Sequence, residues 1–287
     1  MTISVVIPTY NEEKGIAKCI ESILANTELP CEIIVADGMS CDRTKELATA
    51  TGATVYDNPN RTAASGRNVG IMHAKGDIIA FTDGDNYVHP EWIASIRAAF
   101  ESDGNIDAIG GKVVGAPPET EVEKFWSELW LKNIMVFPDE EFYVKERNLR
   151  TSFITANCAY KKELLTKLSG FDEWFGNNAE DVDLMWRALD SGATLKYTPK
   201  PIVYAHSPTK RKQMLKKSYR DGVSSTKLQK RYGPKKGSFD GRLHKMFWKS
   251  IGPTLLFRKN AHLLTGELFY HIMGKWISSI KFGYRNL

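Results

Sequence analysis

Short apolar runs alternate with stretches of helical periodicity over the first hundred residues. The apolar runs predict buried strands at 3–8, 32–37, 53–57 and 77–83. The stretches between and after them predict helices at 12–26, 42–50, 63–74 and 90–100. Alternation of this kind indicates βαβ units and a mostly parallel sheet.

Polar residues follow each of these strands at the point where it ends. They are Pro8-Thr9-Tyr10, Asp37-Gly38, Asp57-Asn58 and Asp83-Gly84-Asp85. Ligands of open parallel sheets bind outside the carboxyl ends of the strands. The placement therefore predicts one shared ligand crevice.

The second half of the chain has a less regular pattern. It predicts a strand with a glycine bulge at 106–115, an aromatic amphipathic stretch at 119–137, a charged loop at 138–150 and a strand at 151–160. A helix is expected at 179–192, because acidic residues fall in its first turn and Gly192 falls at its C-terminal cap. Two short final strands are expected at 194–199 and 201–206.

Charge separates the chain into two parts that the overall net charge of +5 hides. Residues 1–206 carry 20 Lys and Arg against 31 Asp and Glu, a net charge of −11. Residues 207–287 carry 19 against 3, a net charge of +16. A split this large indicates two regions with different partners.

Composition excludes several classes of protein. Hydrophobic residues make up 42% of the chain, enough for a sizeable core, so a globally disordered chain is excluded. No uncharged apolar run reaches the roughly 18–20 residues of a membrane-spanning helix, and the first ten residues do not resemble a secretory signal. The four cysteines form no C-x-x-C pair, so neither a zinc site nor a disulfide framework is predicted. We therefore expect a cytoplasmic protein.

The basic part combines positive charge with an apolar stripe. Residues 207–249 are rich in Lys and Arg, and the stripe recurs at helical spacing through Leu263, Leu264, Leu268, Ile272, Trp276, Ile277 and Ile280. This combination predicts an interfacial helix on an anionic membrane surface. The alternative is a solvated helical pair that packs back on the acidic part. Nucleic acid would attract the same charge, but the sequence contains no recognised nucleic-acid module, so we expect no such partner.

The strongest chemical signal is Asp83-Gly84-Asp85 at the end of an apolar strand. Two carboxylates two residues apart can share a divalent cation that also holds a diphosphate. Glycine between them allows close approach of the backbone to a ligand. An ordinary surface turn is the alternative, because Asp-Gly is common in turns.

Six motifs, in order, resemble those of the inverting family-two glycosyltransferases with the GT-A fold. They are VVIPTYNEE (5–13), VADGMSCDRT (35–44), SGRNVG (65–70), FTDGDNYVHP (81–90), TANCAYKK (155–162) and GFDEWF…AEDVDLMWRALDSG (170–192). The chain departs from the family pattern at Ser65-Gly66, where alanine is usual, and at Thr155, which replaces a glycine. The resemblance covers about residues 1–206.

The resemblance implies an α/β fold of GT-A type, with a Rossmann-like, mostly parallel sheet flanked by helices. The catalytic domain would span 1–208, with a donor half at about 1–115 and an acceptor half at about 116–208. Residues 209–287 would form a basic, partly amphipathic helical extension. The implied activity is metal-dependent, inverting hexosyl transfer from a nucleoside-diphosphate sugar, expected to be a UDP-sugar, to a hydroxyl acceptor. A lipid-linked or cell-envelope glycan at the cytoplasmic membrane face would suit the basic extension.

The resemblance also assigns a donor site. Asp37 would accept a hydrogen bond from the nucleobase, and Arg67 would contact the nucleotide through its planar fork. The other donor residues would be Pro8, Thr9, Tyr10, Glu12, Asp83 and Gly84. The structural alternatives are a capping turn for Asp37 and a salt bridge for Arg67.

A metal site is implied at Asp83, Asp85 and His206. The ion would be Mn²⁺ or Mg²⁺, and an imidazole ligand suits manganese better. It would neutralise the departing nucleoside diphosphate as a Lewis acid. A structural histidine at the end of a strand is the alternative for His206.

Asp181, beside Glu180, would be the general base that deprotonates the acceptor hydroxyl. A single displacement inverts the anomeric centre, and a helix N-terminus favours the ionised form that the base needs. The alternative is that the two acids only cap the helix. Asn157 and Trp174 would contact the acceptor. Aromatic residues such as Trp126 and Trp130 could stack on a sugar, but stripes of this kind are more often core.

Three other functions stay open. A polyprenyl-phosphate sugar synthase would use a phosphate acceptor, which needs no strong base. A nucleotidyltransferase is disfavoured, because the first strand is not followed by the glycine-rich loop that such enzymes use. A non-catalytic sugar-nucleotide binding protein is disfavoured by the retained set of acidic residues and His206.

Overall fold

The structure is a computed structural model that describes residues 1–129, 137–233 and 261–283. The chain forms two compact units. Of the described residues, unit 1 contains 1–116 and 137–206, and unit 2 contains 117–129, 207–233 and 261–283. Residues 117–129, which we expected in the acceptor half of the catalytic domain, therefore group with the basic extension.

Unit 1 is built on one nine-stranded sheet. The strands are β1 (Ile3–Thr9), β2 (Glu32–Asp37), β3 (Thr54–Asp57), β4 (Ile78–Phe81), β5 (Tyr87–Val88), β6 (Ala108–Gly115), β7 (Phe142–Tyr143), β8 (Cys158–Lys161) and β9 (Leu195–Ala205). Their order is β3-β2-β1-β4-β8-β6-β9-β5, and β7 also pairs with β9. The strands β3, β2, β1 and β4 are parallel, whereas β8 is antiparallel to both β4 and β6. The predicted mostly parallel sheet is confirmed.

Nine α-helices are present in the described residues. They are α1 (Ile16–Leu24), α2 (Thr44–Ala50), α3 (Ala63–His73), α4 (Trp92–Ser102), α5 (Glu121–Leu129), α6 (Lys162–Lys167), α7 (Glu180–Asp190), α8 (Arg211–Tyr232) and α9 (Ala261–Lys281). One face of α1 is buried at Ile16, Ile20 and Ile23 and packs in the main core with Trp92 and Phe100. Full burial of one such side chain contributes about 1.5–3 kcal/mol.

Two strand predictions in the second half are wrong. The strand expected at 151–160 is reduced to β8, and residues 149–151 form a 3₁₀ helix instead. The ring of Phe153 fills the space that Gly110 leaves by having no side chain. The two short final strands form a single strand, β9. Its register against β6 jumps from Tyr197 to Ile202 while β6 advances only from Gly110 to Lys112, so the extra residues lie in β9 and not in β6, where the glycine bulge was predicted. The jump leaves the two prolines of 198–201, which have no N–H to donate, outside the paired positions.

Unit 2 is helical in the part of the chain that the structure describes. Trp126 of α5 packs with Met214 of α8 and Leu263 of α9. The helices α8 and α9 run parallel, because Met214 meets Leu263 near their N-termini and Lys230 donates to the carbonyl of Phe282 near their C-termini. Within the described ranges, no helix is long and apolar enough to cross a membrane. Trp130 and the end of the stretch predicted at 119–137 lie outside the described residues, except for Phe137.

Candidate active site

Arg67 of α3 joins two acidic segments that are far apart in sequence. Its Nη2 donates to Asp83 Oδ1 over 2.8 Å, and its Nη1 donates to Glu180 Oε1 over 2.7 Å. The side chain is only 3% exposed and lies 5.7 Å from the ring centroid of Phe171. The salt-bridge alternative is therefore what the structure shows, and the expected nucleotide contact is not available to this buried guanidinium as it is placed.

Glycines allow the acidic turn after β4 to approach the loop after β1. A Cβ on Gly84 would lie 2.9 Å from Thr9 Cγ2, and a Cβ on Gly15 would lie 2.9 Å from the carbonyl oxygen of Gly84. Both distances are shorter than real Cβ contacts. Glycine at position 84 therefore serves the contact with Thr9, whereas the sequence analysis assigned it to close approach of a ligand.

Glu12, in the loop after β1, places a third carboxyl near Asp83 and Asp85 of the turn after β4. Burial, followed by the charges of Asp85, Asp83 and Asp42, raises the pKa of Glu12 to about 7. A bound cation at the turn would lower that pKa, because it would offset the same repulsion. The acidic groups after β1 and β4 thus form one negative cluster.

Asp37 is fully buried and holds its own turn. Its Oδ1 accepts from the backbone N–H of Ser40 over 2.8 Å, and its Oδ2 accepts from the hydroxyls of Ser40 and Thr9 over 2.6 and 3.1 Å. The Ser40 hydroxyl accepts from the backbone N–H of Asn11 in turn, which links the loops after β1 and β2. A nucleobase contact at Asp37 would require one of these bonds to open, so that role stays a prediction.

The rim of the predicted donor site is exposed. Tyr10 is 50% exposed, and the Cβ position of Gly38 lies 3.4 Å from its ring. Asn11 and Met39 both adopt a left-handed backbone, with φ of 56° and 62°. Conformations of this kind in residues other than glycine cost about 1–3 kcal/mol and cluster at functional sites.

The expected metal ligands are near each other along the sheet edge, but they are not assembled. Asp85 and His206 are exposed, and Asp83 is 38% exposed. Tyr87 pairs with Tyr204 in antiparallel register, so Asp85 and His206 each lie two residues beyond the same end of that pairing. In the described parts of the chain, no three His, Cys, Asp or Glu side chains are close enough to hold an ion. The donor set of two carboxylates and one imidazole suits Mn²⁺ and would need diphosphate oxygens to complete it.

Glu180 and Asp181 begin α7 at a strained position. Ala179, directly before them, has a left-handed backbone with φ of 66°. Glu180 is buried, and its Oε2 has no hydrogen-bond partner, while Asp181 is half-buried. Burial raises the pKa of Asp181 despite its hydrogen bonds with the backbone of Val182 and Thr155. The expectation that the helix N-terminus would favour the charged form is therefore overridden by burial.

The pair of acids titrates under opposing influences. Burial and the charge of Asp181 raise the pKa of Glu180 to about 7, and Arg67 opposes that rise. Arg67 also lowers the pKa of Asp181, and Asp83 raises it. The acids of α7 and the Asp83 carboxylate are therefore close enough to influence each other electrostatically.

The loop at 170–179 is held against α3. Both amide atoms of Asn68 bond to the backbone of Phe171, over 2.8 and 2.9 Å. Asn177 Oδ1 accepts from the backbone N–H of Ala63, over 2.7 Å. Trp174, in this loop, is 38% exposed and lies edge-on to Phe175. Trp174 thus has the exposure that a sugar-stacking residue needs, but the residues that hold its loop were not anticipated from the sequence.

Two other acceptor candidates are structural. Asn157 is buried, accepts from the indole N–H of Trp92, and donates to the carbonyls of Lys112 and Pro201. Its amide therefore joins strands and is not directed at a substrate. Trp126 is 4% exposed in the core of unit 2, so the interpretation of it as a core residue holds. Asp183 and Arg187, one helical turn apart in α7, form an ion pair at 2.7 Å.

Comparison with known proteins identifies the family. The profile of Glycosyl transferase family 2 matches residues 4–169, more than half of the chain. The chain therefore belongs to glycosyltransferase family 2 and is a glycosyltransferase enzyme, as the motifs predicted.

Two curated relatives come from Haloferax volcanii. The chain is 28% identical over 231 residues to Glycosyltransferase AglE, covering 77% of this chain and 71% of that protein. It is also 28% identical over 191 residues to a glucosyl-dolichyl phosphate glucuronosyltransferase. That match covers 63% of this chain and 59% of the relative, so the chain spans less than two thirds of its length.

Solved structures support the fold. Glucosyl-3-phosphoglycerate synthase from Mycobacterium tuberculosis, in complex with Mn²⁺, UDP and glucosyl-3-phosphoglycerate, has a TM-score of 0.59. The two sequences are 23% identical, and the match covers 82% of this chain and 81% of that one. The GT-A fold expected from the sequence is thus confirmed, and a neighbour with this fold binds manganese and UDP.

Proposed function

We propose that the protein is an inverting, metal-dependent glycosyltransferase that moves a hexose from a nucleoside-diphosphate sugar to a hydroxyl acceptor. One observation carries the proposal. Arg67 bonds at once to Asp83, in the turn expected to hold metal and donor, and to Glu180, beside the expected base. The residues proposed to bind the leaving diphosphate and those proposed to deprotonate the acceptor therefore belong to one hydrogen-bonded cluster.

The donor would lie over the ends of β1, β2 and β4. Exposed Tyr10 offers a ring for the nucleobase, and Thr9 and Asp37 support the pocket from below. The Ser40 hydroxyl donates a hydrogen bond to the Asp37 carboxylate. A nucleobase that binds this carboxylate would have to displace that hydroxyl. A UDP-sugar is the proposed donor, and a uracil N3–H would be the group that Asp37 accepts from.

A divalent cation would be held by Asp85, with Asp83 and His206 as further ligands. When bound, it supplies Lewis-acid stabilisation of the leaving diphosphate. Asp83 shares one oxygen with Arg67, which fixes its direction but leaves its other oxygen for a ligand. A bound ion would lower the pKa of Glu12, because burial and then the charges of Asp85 and Asp83 raise it, and the ion would offset those charges.

Asp181 is proposed as the general base. It is more exposed than Glu180, which is tied to Arg67. A raised pKa makes its carboxylate a stronger base near neutral pH, provided that it is ionised before attack. The acceptor hydroxyl would lose its proton to Asp181 while its oxygen bonds to the anomeric carbon on the face opposite the diphosphate, which departs with the bonding electrons.

The acceptor is proposed to be a lipid-linked or cell-envelope glycan, with Trp174 stacking on one of its sugars. The relative named above acts, by its name, on a glucosyl-dolichyl phosphate. Such an acceptor would place the enzyme peripherally at the cytoplasmic face of the membrane, with 209–287 facing anionic lipid.

Release of nucleoside diphosphate tests the proposal. Purified protein is incubated with UDP- and GDP-hexoses, with Mn²⁺ or after chelation, and with or without a lipid-linked acceptor. We expect Mn²⁺-dependent release that rises when the acceptor is added. Release that is unaffected by chelation would contradict the metal role, and absence of release with every donor would favour a non-catalytic binding protein.

A further inference from the structure

The helix α9 has its polarity inverted relative to an ordinary surface helix. Its face toward α8 carries Glu267, His271, Gly274 and Ser278, all buried. Its opposite side carries the large apolar residues. Surface helices of water-soluble domains show the reverse arrangement, with apolar residues inside and polar residues outside.

The buried polar face is made possible by close contact between two backbones. A Cβ on Gly222 of α8 would lie 2.0 Å from the carbonyl oxygen of His271, and a Cβ on Gly274 would lie 2.1 Å from that of Tyr219. Contacts between small residues of this kind join helices without apolar side chains between them. Apart from Leu263, which packs with Met214 of α8, and the buried Leu268, the large apolar side chains of α9 are therefore not used to hold the helix pair together.

Five large apolar side chains instead form an outer face. They are Phe269 (57% exposed), Ile272 (40%), Trp276 (54%), Ile277 (40%) and Ile280 (67%). Phe269, Ile272, Trp276 and Ile280 follow one another at intervals of three and four residues, so they share one side of the helix. Contiguous exposed apolar surface of this kind marks an interaction site.

The apolar stripe predicted from the sequence has a buried part and an exposed part in the structure. Leu263 and Leu268 are buried, whereas the stripe beyond them is exposed. Phe269, which the sequence analysis did not include, belongs to the exposed part.

Charge identifies the partner. The neighbouring helix α8 carries eight Lys and Arg and one acidic residue, Asp221. A second copy of so basic a helix would be repelled, whereas an anionic lipid surface would be attracted by each basic residue near it. The helix α9 is also too polar to span a bilayer.

We propose that the outer face of α9 inserts into the headgroup region of an anionic bilayer, with Trp276 at the level of the headgroups and the basic side chains of α8 alongside them. This deepens the proposed function by assigning its membrane contact to five side chains. Vesicle binding needs no donor, metal or acceptor, so its failure would leave the transfer reaction untouched.

The test is flotation of the full chain with phosphatidylcholine vesicles, with and without phosphatidylglycerol. The double variant Trp276→Gln/Ile280→Gln should lose at least about tenfold in partitioning, because it removes two apolar side chains that would leave water for the bilayer interface. Phe269→Gln/Ile272→Gln should show the same loss. Met72→Gln in unit 1, where Met72 is 70% exposed, is the matched control and should bind as the wild type does.

Unchanged helix content by circular dichroism would show that the variants fold, which is expected because the substituted side chains are exposed. Equal binding of all proteins, or no wild-type binding to either kind of vesicle, would overturn the proposal. The proposal would also be overturned if the wild type formed a dimer that the double variants convert to monomer and if no protein bound to vesicles. That result would assign the face to a second copy of the chain.

Discussion

The Nη1 of Arg67 lies 2.7 Å from Oε1 of Glu180, and both side chains are almost completely buried. The second guanidinium nitrogen of Arg67 reaches Asp83, so one arginine sets the spacing between the turn after β4 and the start of α7. Removal of the guanidinium is costly, because Glu180 would be left as a buried charge without its partner.

Substitution of Arg67 should therefore reduce kcat while the residues of the donor site stay in place. We expect Arg67→Gln to lower kcat by about 10²-fold or more, because a small misplacement of catalytic groups has effects of that size. Arg67→Lys should recover little, since a single ammonium lacks the fork that serves both carboxylates. Steady-state kinetics give the values, with thermal melting to measure the lost stability.

Arg43→Gln is the matched control, because Arg43 pairs only with the exposed Glu46 in the described contacts. It should behave as the wild type does. An Arg67→Gln variant that keeps its kcat but loses donor affinity would return Arg67 to the nucleotide-binding role expected from the sequence.

The base assignment predicts a specific pattern for Asp181→Asn. Transfer to a hydroxyl acceptor should fall by about 10²–10⁴-fold, the usual contribution of a positioned base. Titration with UDP should give an unchanged affinity, because the proposed base would contact the acceptor and not the nucleotide. Asp190→Asn, at the other end of α7, serves as the control. Full activity of Asp181→Asn with a polyprenyl phosphate would favour the alternative synthase.

The pH dependence of kcat should have an acid limb above the usual range for aspartate. Burial raises the pKa of Asp181 and brings that of Glu180 to about 7, so the active, ionised form accumulates only as the pH rises. Activity should therefore increase with pH up to about neutrality. A profile that is already flat at the ordinary pKa of aspartate would contradict the burial argument.

Glu267 predicts a pH-dependent stability of unit 2. Burial, followed by the charge of Asp221, raises the pKa of Glu267 to about 8, and neither carboxyl oxygen has a hydrogen-bond partner. The folded state therefore favours the protonated acid. Its contribution is fully present below the unfolded pKa of about 4.5 and is lost as the pH rises through about 8.

Glu267→Gln removes that titration and should stabilise the helix pair at alkaline pH, by roughly 1–3 kcal/mol. Thermal melting monitored across pH measures the effect, with exposed Glu101→Gln as the control. His271 lies on the same buried face, so the comparison is repeated in a His271→Gln background. Equal melting temperatures of wild type and Glu267→Gln at every pH would refute the prediction.

Local sequence patterns predicted the sheet and the position of the site, because each strand and the polar residues that follow it are adjacent in the sequence. Arg67 shows where such patterns stop. Its partners are 16 and 113 residues away, so the sequence reveals a motif arginine but not its burial. The acceptor contact expected for Asn157 differs from its observed role for the same reason, because its hydrogen bonds join strands that are distant in sequence.

The helix α9 shows a second kind of limit. Helical spacing predicted an apolar stripe, but the choice of inner face depends on glycines of two helices that meet. Composition cannot supply that choice, because it depends on the partner helix.

The most direct test of the central claim is the Mn²⁺ dependence of donor binding in wild type and Asp85→Ala. Calorimetric titration with a UDP-hexose, with Mn²⁺ and after chelation, is compared for the two proteins. We predict that Mn²⁺ strengthens binding to the wild type by at least about tenfold and leaves Asp85→Ala unaffected, because Asp85 would ligate the ion that holds the diphosphate. Equal strengthening by Mn²⁺ in both proteins would contradict the account.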